Sequence, residues 1–205
     1  MRLYFIRHGQ TDWNLAGKIQ GSSDIELNET GIAQAKELSR KLSEENYSIA
    51  RIYSSKQKRA YQTASIISRT LGCELTPIDG LEEVRLGNWE GLSWQEVKSA
   101  YPSEYDAWYH DRRYYKSHQG ESYQELLERV LPAVHHIISE NTKDVAIITH
   151  NAVIMCLQCY LTHTPFHRMI DFKAGNTSII TLDSKLFTQD AFQNMCTINS
   201  PLSTT

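Results

Sequence analysis

The sequence is poor in cysteine and has no long apolar runs. Its cysteines, Cys73, Cys156, Cys159 and Cys196, are four among 205 residues, too few for the disulfide framework of a small secreted fold. No apolar stretch approaches the roughly 20 residues of a membrane-spanning helix. The chain enters an apolar strand at once, without the pattern of a signal peptide. We therefore expect a cytoplasmic protein without a membrane partner.

The sequence also lacks an excess of positive charge. Lys and Arg number 21 against 24 Asp and Glu, a net charge of -3, so there is no overall basic footprint and we expect no nucleic-acid partner. Hydrophobic residues make up 40% of the chain, enough for a substantial core. This length and composition predict a single α/β domain over residues 1–205.

Short apolar runs alternate with helical patterns. The predicted strands are Leu3–Ile6, Ile49–Tyr53, Leu75–Ile78 and Val145–Thr149, with closing strands at Ser178–Leu182 and near Phe187. Strands that alternate with helices indicate a mainly parallel sheet, and the closing strands suit an antiparallel edge. We expect the Ser/Thr-rich tail from Thr197 to be frayed.

The helices are predicted from apolar residues at helical spacing. The first opens at Asn28, after a polar loop over residues 12–28, and its predicted buried face is Ile32, Ala35, Leu38 and Leu42. Later helices are predicted at about 56–71, 120–139 and 153–161. The last contains Cys156 and Cys159, which a single C-x-x-C pattern assigns to the core rather than to a zinc or redox site.

Residues 94–119 differ in character from the rest of the chain. They are crowded with tryptophan, tyrosine and basic side chains, including Arg112, Arg113 and Lys116. We interpret this segment as a small inserted helical cap. The basic cluster is either a solvated face or a clamp for a second anionic group on a ligand.

Three predicted strands end in chemically important residues. Arg7 and His8 follow the first strand, Ser54–Ser55 the second with Arg59 shortly after, and His150 the fourth. The carboxyl ends of parallel strands meet at one edge of the sheet, where open α/β folds bind ligands. Guanidinium and imidazole groups bind phosphate oxygens well. The pattern therefore indicates phosphoryl chemistry without a metal.

Phosphoryl transfer also needs a proton donor for the leaving group. Glu83 lies in a glycine-punctuated loop, Gly80–Gly91, and is the candidate for that role. His8 itself can be a nucleophile, a proton carrier or a metal ligand.

An ordered series of motifs resembles the histidine phosphatase superfamily, in its phosphoglycerate-mutase-like branch, and covers nearly the whole chain. The residues that carry the resemblance are Arg7-His8-Gly9-Gln10-Thr11 with Asn14, Leu27, Gly31, Gln34-Ala35, Ser54-Ser55, Arg59-Ala60, Gln62-Thr63-Ala64, Glu83, Gly87, Trp89-Glu90-Gly91, Gly120-Glu121-Ser122, Thr149-His150 and Asn176. The resemblance implies a three-layer α/β/α sandwich around a mainly parallel sheet.

The resemblance also implies roles for individual residues. His8 is the expected nucleophile, which carries the phosphoryl group as a phosphohistidine. Arg7, Arg59 and His150 are expected to hold phosphoryl oxygens, and Glu83 to protonate the leaving oxygen. The expected enzyme needs no metal and no cofactor. The predicted substrate-binding residues are Gly9, Gln10, Thr11, Asn14, Gly21, Arg112, Arg113 and Asn151.

The sequence departs from the family pattern at two positions. Asn151 follows the second histidine, where family members usually have glycine, so a side chain accompanies any backbone amide that contacts phosphate there. Glu82 precedes the candidate acid, where the phosphatase branch often has arginine. A second carboxylate close to Glu83 would raise the pKa of Glu83.

Three functions remain as alternatives. The leading one is a phosphatase that acts on small phosphorylated metabolites; the others are a 2,3-bisphosphoglycerate-dependent phosphoglycerate mutase and a non-catalytic member that binds phosphorylated ligands. The loop after Glu83 favours hydrolysis, because the mutases carry Glu-Arg-His-Tyr-Gly, a segment absent from this chain. A homodimer is left open.

Overall fold

A computed structural model describes residues 1–187 of the chain. Its centre is a five-stranded sheet in the order β3-β2-β4-β1-β5. The strands are β1 (Arg2–Arg7), β2 (Arg51–Ser54), β3 (Glu74–Pro77), β4 (Val145–Thr149) and β5 (Ile179–Asp183). The first four are parallel, whereas β5 pairs with β1 in the antiparallel sense at one edge. The predicted mainly parallel sheet with an antiparallel edge strand is confirmed.

Within residues 1–187, seven α-helices connect the strands or follow them. They are α1 (Asp12–Leu15), α2 (Glu29–Glu44), α3 (Lys58–Leu71), α4 (Trp94–Ala100), α5 (Pro102–His110), α6 (Tyr123–Ser139) and α7 (Asn151–Leu161). Short 3-10 helices span Gly87–Trp89, Phe166–Phe172 and Ser184–Phe187. None of the helices in the described range is long and apolar enough to cross a membrane.

The sheet is covered on both faces, which gives the expected three layers. Along β1, Leu3 and Phe5 pack with α6 and α7 on one face. Tyr4 and Ile6 pack with α2 and α3 on the other. This alternation follows from the two-residue period of a strand. Because both faces are buried, the strand reads as a continuous apolar run rather than an alternating one.

Helices α4 and α5 lie in the segment that we interpret as a cap. Trp108 of α5 stacks on Trp94 with ring centroids 5.0 Å apart and meets Trp89 edge-on at 5.5 Å. Trp108 and Val97 belong to the same buried cluster as α6 and α7. The cap is therefore packed onto the main body through shared apolar side chains.

Three predictions about individual elements were wrong. The loop over residues 12–28 contains α1, which begins at a capping box between Thr11 and Asn14. Ile32 is 38% exposed, since the inner face of α2 is formed by Gly31, Ala35, Leu38 and Leu42. The segment near Phe187 is a 3-10 helix rather than a strand. The predicted frayed tail from Thr197 lies outside the described residues.

The parallel register places three strand ends side by side. Arg7 of β1 pairs with Thr149 of β4, and Ser54 of β2 pairs with Ile148. Both β1 and β2 are thus level with the end of β4. The residues that follow these strands consequently meet at one edge of the sheet.

Candidate active site

His8 lies directly after β1, and the backbone of the next residue, Gly9, fixes the orientation of its ring. Its Nδ1 is 2.7 Å from the carbonyl oxygen of Gly9. A carbonyl oxygen can only accept a hydrogen bond, so Nδ1 carries the proton and the lone pair of neutral His8 is on Nε2. The side chain is 2% exposed and lines the central pocket. Nε2 is therefore the atom available to attack a substrate.

His150 follows β4 and faces His8, with ring centroids 5.2 Å apart. Its Nε2 is 2.9 Å from Oγ of Ser55, the residue after β2. Its Nδ1 is buried and has no hydrogen-bond partner in the described structure. Burial, reinforced by Arg59 and by His8, holds the pKa of His150 well below its usual range.

Two arginines bring positive charge to the same place. Arg59, in the first turn of α3, is fully buried and donates to the carbonyl oxygens of Ser23 (2.7 Å) and Gly21 (3.0 Å). Arg7 donates from Nη1 to the carbonyl oxygen of Ala174 at 2.7 Å. The Nε atoms of both arginines are buried without a partner within residues 1–187. Burial lowers the pKa of Arg59 to about 10, so its guanidinium remains charged at neutral pH; burial also lowers the pKa of Arg7.

Burial and these charges also shift the pKa of His8. Desolvation is the largest cause, followed by Arg59 and Arg7, and together they hold the pKa of His8 well below its usual range. The imidazole is therefore neutral and nucleophilic at neutral pH.

Glu83 lies on the wall of the same pocket. Its carboxylate oxygens accept from the backbone amides of Val84 (3.0 Å) and Ala152 (3.3 Å), the second of which is in the first turn of α7. Burial raises the pKa of Glu83 despite the nearby Arg59 and Arg7. A raised pKa retains a proton that can be given to a leaving oxygen.

The expectation that Glu82 raises the pKa of Glu83 was wrong. Glu82 turns back to accept from the amide of Gly80 at 2.8 Å and lies 3.7 Å from Arg129. Desolvation, rather than a second carboxylate, is the cause of the raised pKa.

The sequence did not predict that Arg129 and Glu121 hold the Glu83 loop in place. Arg129 of α6 donates to the carbonyl oxygens of Gly80, Glu82 and Glu83. It is also paired with the buried Glu121, which accepts from the Arg85 amide. The signal in the sequence was weak, because an arginine on an otherwise amphipathic helix looks like any solvated residue.

Three residues of the Arg7–Thr11 motif contact the surrounding structure rather than the pocket. A Cβ on Gly9 would lie 2.5 Å from the carbonyl oxygen of Gly31, so glycine is required for close packing against α2. The Gln10 amide donates to Gln34, and Thr11 caps α1 and donates to Gln20. Gly9, Gln10 and Thr11 are not among the residues that line the pocket.

Gly21 and Asn14 do line the pocket. Gly21 has a φ of +52°, and its carbonyl oxygen accepts from both Arg59 and Gln57. Asn14 Oδ1 accepts from Thr11 and from Asn176, which also donates to the carbonyl oxygen of His8. Gly21 is therefore hydrogen-bonded to Arg59, and Asn14 to an asparagine that also binds the backbone of His8.

The two adjacent cap arginines face different surroundings. Arg112 lines the pocket, with its guanidinium 4.1 Å from the ring centroid of Trp108 and its Nε buried without a partner in the described structure. Arg113 is not among the pocket residues; it donates to Gln124 and lies over the ring of Phe166. Of the two predicted anion contacts, only Arg112 faces the pocket.

His8, Arg7, Glu83 and Arg112 line a pocket of about 420 Å³. One end holds His8, Arg7 and Glu83, and the cap end has an aromatic wall with Arg112. The residues of that wall are Trp94, Tyr105, Trp108, Tyr109 and Tyr123. The arrangement provides a nucleophile, donors for an anion, a proton donor and room for a small organic group.

Cys156 and Cys159 are buried in the core beside α6, as predicted. Within residues 1–187 no group of three or more His, Cys, Asp or Glu side chains is arranged to hold a metal ion.

Comparison with known proteins identifies the relatives of this chain. Metal-independent phosphoserine phosphatase of Arabidopsis thaliana is 33% identical over 78% of this chain and 68% of its own length. Phosphoglycerate mutase-like protein 4 of the same organism is 36% identical over 85% and 75%. The structure of phosphoserine phosphatase from Entamoeba histolytica in complex with 3-phosphoglyceric acid superimposes with a TM-score of 0.78 and 29% identity, over 90% and 91% of the two chains.

A mycobacterial glucosyl-3-phosphoglycerate phosphatase, solved in complex with VO3, has a TM-score of 0.79 and 29% identity, over 89% of this chain and 90% of its own. The family model for branch 1 of the histidine phosphatase superfamily matches residues 3–191. The chain therefore belongs to the histidine phosphatase superfamily.

Proposed function

We propose that this protein is a phosphatase that hydrolyses phosphomonoesters of small metabolites through a phosphohistidine on His8. The observation that carries the proposal is the environment of His8. Its free Nε2 faces a pocket that Arg7 also lines. Arg7, Arg59 and His150 each have a buried nitrogen without a partner in the described structure, and the His150 ring lies 5.2 Å from that of His8. Similarity to proteins named phosphoserine phosphatase supports the same activity.

The first step transfers the phosphoryl group to the enzyme. His8 Nε2 attacks phosphorus, the bond from phosphorus to the ester oxygen breaks, and the proton of Glu83 moves to the departing oxygen. Arg7, Arg59 and His150 stabilise the negative oxygens, which is the main catalytic requirement of phosphoryl transfer. The products of this step are a free alcohol and phosphohistidine.

The second step transfers the group to water. Glu83, now ionised, removes a proton from a water molecule that attacks phosphorus. The bond between phosphorus and Nε2 breaks, which releases inorganic phosphate and regenerates neutral His8. Glu83 is protonated again, ready for the next cycle.

The leaving group is proposed to carry a second anionic group, such as a carboxylate. Arg112 supports this because its buried Nε has no acceptor in the described structure and its guanidinium faces the pocket. Phosphoserine and 3-phosphoglyceric acid, named in complexes of related proteins, both bear a carboxylate. A fixed guanidinium on the face of Trp108 suits such a group.

Phosphoglycerate mutase remains the second candidate, and Arg112 is the observation that favours it. A mutase uses the same phosphohistidine but returns the group to the substrate instead of to water. Incubation with 3-phosphoglycerate, with and without 2,3-bisphosphoglycerate, separates the two. We expect free phosphate and little 2-phosphoglycerate; isomerisation that requires the bisphosphate, without phosphate release, would establish the mutase.

The central experiment measures phosphate release from phosphoserine, phosphoglycerates, sugar phosphates and nucleotides. His8→Ala should lower turnover by roughly a thousandfold or more, since it removes the nucleophile. His110→Ala is the matched control, because His110 is exposed and does not line the pocket. Rapid quenching of the wild type with labelled substrate, without acid, should trap phosphate on the protein. Full activity in His8→Ala would contradict the proposal.

We assign the whole described chain to one domain with the cap as an insertion at about residues 94–119, because the cap shares apolar side chains with the main body. The cytoplasm is the proposed compartment.

A further inference from the structure

Asn151 lies at the start of α7, directly after His150. Its Oδ1 accepts a hydrogen bond from the backbone amide of Ala174 at 2.9 Å. The carbonyl oxygen of Ala174 in turn accepts from Nη1 of Arg7 at 2.7 Å. A continuous path of two hydrogen bonds therefore leads from the Asn151 side chain through one residue to the Arg7 guanidinium.

The segment that contains Ala174 supports the end of β1 at several points. We call residues 174–178 the strap. Asn176 donates to the carbonyl oxygen of His8, the Thr177 amide donates to the carbonyl oxygen of Arg7, and the Arg7 amide donates to that of Ser178. The strap fixes the backbone of Arg7 and His8, whereas Ala174 alone among its residues contacts the guanidinium of Arg7.

The Arg7 side chain depends on this contact for its position. Its Nε is buried without a partner, and within residues 1–187 its guanidinium donates to one protein acceptor, the Ala174 carbonyl. Ala174 is 4% exposed, so without Asn151 its amide would be left with little access to water. A buried amide without an acceptor is unfavourable, and the backbone would shift to restore one.

We propose that Asn151 is a positioning residue, which holds Ala174 so that the Arg7 guanidinium is fixed where it binds the phosphoryl group. The inference rests on the proposed role of Arg7 in the phosphatase reaction. It gives a function to the asparagine that stands where the family pattern usually has glycine, since glycine has no side chain to hold the strap. Asn151 thereby affects the affinity of the site for tetrahedral and five-coordinate oxyanions through Arg7.

The competing explanation is a direct contact between Asn151 and the ligand. Asn151 lines the pocket, and its Nδ2 is engaged only weakly, with the sulfur of Met155 at 3.6 Å. Direct binding would make the contribution of Asn151 independent of Arg7. Positioning through Ala174 would make it disappear when the Arg7 guanidinium is absent. A double-mutant cycle distinguishes the two.

The test measures the dissociation constant of orthovanadate from the rise in melting temperature of the intact chain. The variants are Asn151→Ala, Arg7→Met and the double variant, with Arg7→Lys in place of Arg7→Met if the latter fails to fold or binds too weakly to measure. We expect Asn151→Ala to weaken vanadate binding roughly tenfold in the native background, the scale of a charge-assisted contact, and less than about twofold in the Arg7 variant.

Asn141→Ala is the matched control. Asn141 also makes two side-chain hydrogen bonds, to Tyr53 and to the carbonyl oxygen of Ile137, but it lies at the end of α6 away from the pocket. It should leave vanadate affinity unchanged. Equal losses from Asn151→Ala in both backgrounds, or no loss in either, would overturn the proposal.

Vanadate binding does not require turnover, so the two proposals fail separately. A wild-type protein that binds vanadate but hydrolyses no phosphomonoester would contradict the proposed function, and the cycle would still decide the role of Asn151. A wild-type protein that does not bind vanadate at millimolar concentration would overturn the positioning proposal, because there would be no oxyanion site for Arg7 to form.

Discussion

At the scale of single residues, the same burial shifts the pKa values of the two proposed reactive groups in opposite directions. It disfavours the charged form of each, so it holds the pKa of His8 well below its usual range and raises that of Glu83. The neutral nucleophile and the protonated acid needed for the first step can therefore coexist. Arg59 and Arg7 favour neutral His8, but they work against a protonated Glu83.

The pH dependence of kcat/KM tests this arrangement. Activity should rise with pH as His8 loses its proton and fall as Glu83 loses its own, which gives a bell-shaped profile on the acidic-to-neutral side. The amide side chain of the Glu83→Gln variant cannot ionise. The falling limb of its pH profile should therefore disappear, while the rising limb due to His8 remains. Measuring both proteins with the same substrate cancels the titration of the substrate's own phosphate.

Substrates that differ in their leaving group provide the control for the Glu83→Gln variant. Sugar alkoxides need protonation as they depart, whereas aryl oxides need little, so the variant should lose much more activity on sugar phosphates than on aryl phosphates. Equal losses on both would show that Glu83 is not the proton donor.

At the scale of elements, two features hold the reactive groups. Gly9 and Gly31 bring the loop after β1 into backbone contact with α2, and a Cβ on Gly31 would lie 2.0 Å from the carbonyl oxygen of Gln10. Across the pocket, Arg129 and Glu121 fix the Glu83 loop from α6. Both contacts join segments that are far apart in the sequence.

Gly31→Ala should destabilise the protein, although helix propensity alone predicts a gain of about 1 kcal/mol in a helix interior. The added methyl group cannot fit against Gln10 and should cost about 1–3 kcal/mol in urea unfolding. The control is Gly175→Ala, where nothing lies within 4 Å of the new Cβ. A stabilised Gly31→Ala would show that α2 can move away from the loop without cost.

Arg129→Met should lower both stability and kcat. It leaves the Glu121 carboxylate, 3% exposed, with only the more distant cation of Arg85 at 3.9 Å, at a cost of about 2–3 kcal/mol, and it releases the backbone around Glu83. Adding Glu121→Gln should recover part of the stability. The control is Arg40→Met, because Arg40 pairs with Glu37 and Glu44 on the surface and should contribute less than about 1 kcal/mol. An unchanged kcat in Arg129→Met would contradict the prediction that this support of the Glu83 loop contributes to catalysis.

At the scale of the whole molecule, charge is distributed unevenly. The chain has a net charge of -3. Among the described residues that line the pocket, the cations are Arg7, Arg112, Lys18 and Lys173, and the one carboxylate is that of Glu83. Positive charge focused in a pocket attracts anionic substrates to a protein that is acidic overall. The attraction is electrostatic, so it weakens as salt concentration rises.

We predict that activity does not depend on a metal ion, because the arginines supply the charge that Mg²⁺ supplies in many phosphotransferases. Phosphate release should be unchanged after dialysis against EDTA, and vanadate should inhibit it by occupying the phosphoryl site. A magnesium-dependent phosphatase treated in parallel controls for the chelation. Loss of activity that returns only on addition of a divalent cation would contradict this prediction.

The amino-acid sequence alone predicts the layered fold and the grouping of the proposed catalytic residues. Strand and helix periodicities are local, and the apolar run Leu3–Ile6 indicates a buried parallel strand without knowledge of its neighbours. Once parallel strands are predicted, His8 and His150 must meet at one edge of the sheet, because parallel strands share a direction. Arg59, shortly after the second strand, joins them for the same reason, and Glu83 is a candidate from its position in the glycine-punctuated loop Gly80–Gly91.

How each group is held and which way it faces depends on tertiary packing. Arg112 and Arg113 are adjacent in sequence, yet Trp108 holds one in the pocket while Gln124 and Phe166 hold the other outside it. The support of Glu83 by Arg129, and of Ala174 by Asn151, joins segments that the sequence keeps far apart. Such hydrogen bonds leave no periodic pattern, since they depend on the distance between packed elements rather than on spacing along the chain.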